Sequence, residues 1–143
     1  MKKVINQTSY RRLLYVVIGL TIAVAVILVL LIIPPSTIPE NYIRHIWTKV
    51  IVHLLVIIAL LWTIIVSNRG VDRKELQILA GLTLIVLGII FMDHAVGFHS
   101  RPRHEQPLAV SLWMFICAGC DLVTGLYILI ARIFFKIRPF QSK

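Results

Sequence analysis

The sequence predicts an all-α integral membrane protein, a four-helix transmembrane bundle with both termini on the cytoplasmic side. Three observations carry this. Apolar residues make up 59% of the chain and mean hydropathy is +0.90, whereas charged residues are only 15% and gather between long apolar runs. Four of those runs approach the roughly 20 residues that a hydrocarbon core about 30 Å thick requires. Basic residues are also distributed unevenly. Eleven of the 15 Lys and Arg fall at the amino end, in the second connection or in the carboxyl tail. Arg44, Lys49, Arg101 and Arg103 make up the remainder, which is the bias expected when the first set is cytoplasmic. The same bias explains the net charge of +9 by attraction to anionic membrane lipid, and argues against nucleic acid as a partner.

Residues 1–143 read as one domain, with helices expected at 13–33, 47–66, 76–96 and 108–131, and the cell membrane as its location. The first run, "LLYVVIGLTIAVAVILVLLII", is apolar on every face except at Thr21, and Pro34–Pro35 stops it. A basic start precedes this run, but "IIPPSTIP" offers no small-x-small cleavage site, so an uncleaved first helix is expected. The second helix opens with "HIWTKVIVHLL", where His45, Lys49 and His53 recur every four residues and so share a face. Lys49 is expected to snorkel to the outer surface. From a start at Trp47, His53 lies about 9 Å inside.

The turn "SNRGVDRKE" leads into the third helix, with Asp72 and Glu75 spaced as a capping box. Gly81 and Gly88, seven residues apart, offer a face on which a neighbouring helix can approach closely. The fourth helix starts after Pro107 and carries "CAGCD" at 117–121.

Ionisable groups inside a membrane segment are costly and are functional candidates. Asp121 is the strongest, about 20 Å below the start of the fourth helix. With Cys117 and Thr124 on its face, it suggests an intramembrane ion or proton relay through Asp121 and Cys117. The connection "FMDHAVGFHSRPRHEQPLAV" is unusually rich in imidazole and carboxyl groups. Together with the second helix it supplies a candidate divalent-metal site, zinc by preference, of His53, Asp93, His94, His99 and His104. Glu105 is then the candidate catalytic base toward a metal-bound water. Alternatively, His53 and His94 are the axial pair for a b-type haem. Because the estimated depths of His53 and Asp121 differ by about 10 Å, the two are expected in different layers of one polar column.

Cys117 and Cys120 form CxxC, which resembles in a general way the pair of small quinone-linked disulfide-forming membrane proteins. The outer loops hold no second pair to pass oxidising equivalents, so packing is the expected role. The functional expectation is a small polytopic membrane protein with an outward-facing His/Asp cluster that binds a divalent metal for transport or chemistry. The alternatives are an accessory subunit that meets a homo- or hetero-oligomeric partner through the fourth helix, and a haem- or quinone-linked electron-transfer subunit.

Overall fold

The computed structural model describes residues 3–33, 40–100 and 108–137. Within them the element order is β1 (Lys3–Ile5), α1 (Gln7–Ile32), α2 (Glu40–Ser67), α3 (Lys74–His99), α4 (Leu108–Phe134) and β2 (Phe135–Ile137). Each helix is long and apolar enough to cross a membrane. All four continue past the apolar runs that predict them, because a helix ends at its caps and prolines and not where hydropathy falls. At the amino end Asn6 caps α1, its side chain accepting from the Thr8 amide.

Two features differ from the sequence reading. β1 and β2 form a short parallel pair with Lys3 opposite Phe135, which brings the two ends of the described chain together. Asp72 does not cap α3. Arg73 holds the N-cap position without a side-chain hydrogen bond, and Asp72 bonds to Arg132 instead. A buried guanidinium needs that carboxylate more than an exposed helix start does.

The helices form a ring. α1 packs on α2 and α4, and α3 packs on α4 and α2, so α2 and α4 oppose each other across a diagonal. Within the ring α1 packs chiefly on α2, and α3 chiefly on α4, giving two hairpins. The α3–α4 seam is the tightest, and its small residues explain why. A Cβ on Gly125 would lie 2.6 Å from the Gly81 carbonyl oxygen, and one on Gly88 would lie 2.7 Å from Leu122 Cγ. Neither seam position tolerates a side chain at this spacing.

The core is divided. One apolar cluster gathers Val24, Leu28, Ile46, Val50, Phe91, Phe98 and Met114 toward the end away from the chain termini, the distal end. A second gathers Leu14, Val17, Val56, Leu60, Leu84 and Ile128 toward the terminal end. Between them, along the helices, come the buried polar residues Thr21 on α1, His53 on α2 and Asp121 and Thr124 on α4. The outward faces are apolar, with Tyr15, Leu55, Ile58, Val86 and Val123 among the exposed side chains.

Candidate functional site

The polar layer is built from depth and direction. His53 is the thirteenth residue after Glu40, and Asp121 the thirteenth after Leu108. Both helices start at the distal end, so the two side chains reach the same level, about 20 Å along. The expected separation of about 10 Å is thus corrected: His53 Nε2 lies 2.9 Å and 3.0 Å from the two carboxylate oxygens of Asp121. This contact spans the α2–α4 diagonal, and the residues are 0% and 1% exposed.

The other ring nitrogen is committed too. His53 Nδ1 lies 2.6 Å from the Lys49 carbonyl oxygen. A carbonyl only accepts, so Nδ1 carries a hydrogen and donates it. That assignment, drawn from the partner's chemistry, constrains the opposite side of the ring. A neutral imidazole protonated at Nδ1 presents a lone pair at Nε2, and a carboxylate presents only lone pairs. The short Nε2–Asp121 contact therefore holds one shared proton, as imidazolium with carboxylate or as imidazole with carboxylic acid. In either form the pair is electrically neutral.

Lys49 adds a charge nearby. It does not snorkel to the surface, being 3% exposed. Helical side chains lean toward the helix N-terminus, which for α2 is the distal end. The Lys49 ammonium is there 2.8 Å from His94 Nδ1 and 4.1 Å from the Phe91 ring centroid. An imidazole lone pair and an aromatic face both accept a cation without a counter-charge. His94 stands 4.8 Å from the ring of exposed His45, and Tyr42 meets it edge-on at 6.3 Å. Polar groups thus lead inward from the distal surface in the order His45, His94, Lys49, then the His53–Asp121 pair. Toward the terminal end the pair meets the second apolar cluster instead.

The remaining expected residues are dispersed. Asp93 is exposed, and adjacent helix residues do not share a face with one another. His99 Nδ1 is 3.1 Å from Ser111 Oγ. His104 and Glu105 lie outside the described residues. Cys117 and Cys120 are free thiols, with Cys117 packed in the distal apolar cluster. Among the described residues no group of three or more His, Cys, Asp and Glu is placed to hold a metal ion. In this arrangement His53 Nδ1 is engaged by the Lys49 carbonyl and Nε2 by Asp121. Asp121 faces inward, away from the surface where a partner would meet it.

A second polar cluster closes the terminal end. Arg132, 6% exposed, donates to both oxygens of Asp72 at 2.6 Å and 3.1 Å. Its Nε donates to Gln77 Oε1, its guanidinium lies 4.6 Å from the Tyr10 ring, and Tyr10 donates to the same Gln77 oxygen at 2.5 Å. α1, α3, α4 and the α2–α3 turn are pinned together. The sequence reading missed this cluster. Its one available signal was Gln77, the only amide side chain within the third apolar run.

No family model, curated protein or solved structure matches this chain. Its functional reading therefore rests on the chemistry of the polar layer.

Proposed function

We propose that this chain is a multi-pass membrane protein that binds and exchanges a proton at the buried His53–Asp121 pair, as the proton-handling element of a membrane transport process. The basic-residue bias supports cytoplasmic termini and a cytoplasmic α2–α3 turn, with the distal end outside. One observation carries the reading: a doubly engaged, fully buried imidazole against a carboxylate whose contact requires a shared proton. Intramembrane pairs of this kind are the material of proton relays.

Charge accounting supports reversible exchange. The loaded pair is neutral, and the unloaded pair carries one negative charge. An isolated buried carboxylate is prohibitively costly, but the nearby Lys49 ammonium offsets it. The proton reaches the pair from the distal surface by way of His45, His94 and Lys49, while the apolar cluster around Leu14, Val17, Val56, Leu60 and Leu84 separates it from the polar cluster at the terminal end. A metal cation suits the layer poorly. Hard cations require several oxygen ligands, whereas the Thr21 and Thr124 hydroxyls are turned onto backbone carbonyls of their own helices.

The test is infrared difference spectroscopy of the protein in lipid nanodiscs across a pH titration. Wild type gives paired carboxyl and imidazole changes amounting to one proton per chain, and Asp121→Asn abolishes them. Lys49→Met suppresses proton release, because the empty pair then lacks its compensating charge. A wild-type titration indistinguishable from that of Asp121→Asn would refute the reading.

A further inference from the structure

The interhelical polar contacts follow a pattern that the proton reading alone does not use. Three of them join the α1–α2 hairpin to the α3–α4 hairpin: His53–Asp121 at mid-height, Lys49–His94 distally, and Tyr10–Gln77 at the terminal end. We infer that the shared proton of His53–Asp121 latches the two hairpins together, and that its loss parts them in the distal half. This rests on the proton-binding reading and adds to it how occupancy controls access to the pair.

When the proton leaves to water, His53 keeps its Nδ1 hydrogen, because a bare Nδ1 would set its lone pair against the Lys49 carbonyl oxygen 2.6 Å away. Nε2 then presents a lone pair to two carboxylate oxygens at 2.9 Å and 3.0 Å, with no hydrogen between them. Two buried acceptors in contact are each left unsatisfied, and the contact must lengthen or admit water. The contact joins α2 of one hairpin to α4 of the other, so lengthening it moves the hairpins apart.

The surroundings decide where movement occurs. Next to the pair along their own helices come Lys49 on α2 and the buried Cys117 thiol on α4, while the Cys120 thiol is only half-buried. α3 brings His94, which reaches the pair only by way of Lys49. From α1 the buried polar group between the two apolar clusters is Thr21, which does not titrate. At the terminal end Tyr10, Gln77 and Arg132 hold one another through a phenol, an amide and a guanidinium. That cluster is the pivot. The α3–α4 seam is in backbone contact at Gly81 and Gly125 and moves as a unit. The pair thus opens toward the distal surface when empty and closes when filled.

The experiment measures a distance and proton occupancy in the same samples. Spin labels replace exposed Ile51 on α2 and Leu112 on α4, in a Cys117→Ala/Cys120→Ala background in lipid nanodiscs. Pulsed dipolar spectroscopy is run across the infrared titration. In the labelled chain with Asp121 intact, a longer-distance population grows as the pair loses its proton. In Asp121→Asn the side-chain amide donates permanently to His53 Nε2, and the short distance persists at every pH. Infrared titration with an unchanged distance would overturn the latch and leave proton binding standing. Distances in Asp121→Asn that follow pH as they do with Asp121 would also overturn it. Absence of any infrared titration would sink both readings.

Discussion

Removing either partner of the His53–Asp121 pair gives a stability effect whose size reports the nature of the bond. Both groups are almost wholly buried, at 0% and 1% exposure, so water does not replace the lost partner. Two limits bracket the result. Neutral hydrogen bonds between membrane helices are worth about 0.6 kcal/mol on average and at most about 1.7, because the helices of the unfolded reference also find partners. Breaking a buried ion pair costs about 3–5 kcal/mol. A proton shared between His53 Nε2 and the two carboxylate oxygens, which lie 2.9 Å and 3.0 Å from that nitrogen, makes a charge-assisted bond, which sets the expected coupling at about 2–3 kcal/mol. The measurement is a double-mutant cycle of His53→Ala and Asp121→Ala, by reversible unfolding in bicelles. Asp121→Asn, which retains a donor for Nε2, should stay within about 1 kcal/mol of wild type. Coupling below about 0.6 kcal/mol, or an Asp121→Asn variant as unstable as Asp121→Ala, would refute the shared-proton assignment.

Two further substitutions examine the frame around the pair. At Gly125 an added Cβ meets the Gly81 carbonyl at 2.6 Å and the Ile85 amide nitrogen at 2.9 Å. Overpacking of about 1–3 kcal/mol should then outweigh a helix-propensity gain of about 1 kcal/mol. A Cβ on Gly119 would meet nothing within 4 Å, so Gly119→Ala should stabilise by about 0.5–1 kcal/mol; opposite signs in thermal unfolding check the seam. Arg132→Lys should cost about 1–2 kcal/mol by losing the bond to Gln77 and the planar contact with Tyr10. Asp72→Asn should cost less, since the Asp72 side chain is 60% exposed and its ion pair is screened. Equal losses from these two variants, measured by the same melts, would place the energy in the ion pair instead.

The four helices were legible because hydropathy integrates over about 20 residues and tolerates local error. Individual contacts depend on single residues and do not. Starting the second helix at Trp47, where the apolar run begins, instead of Glu40 misplaced His53 by seven residues, or about 10 Å. That error alone separated it from Asp121. Both residues were nevertheless visible as costly buried groups, and the shared face of His45, Lys49 and His53 followed from helical spacing. Lys49 was misread because snorkelling is decided by what lies above the ammonium, and only the packed bundle puts His94 and Phe91 there. Arg132 and Asp72 had local roles at helix ends, so nothing in the sequence marked them as partners across 60 residues.

The mid-height placement of the pair also has an electrical consequence. In the proposed membrane-spanning arrangement, a proton entering from the distal surface crosses about half of the transmembrane field before it is bound. A unit charge crossing the whole field at 100 mV gains about 2.3 kcal/mol, so half the crossing is worth about 1.2 kcal/mol, or roughly sevenfold in occupancy. A voltage negative on the terminal side would therefore fill the pair at constant pH, making His53–Asp121 a reporter of membrane potential as well as of acidity.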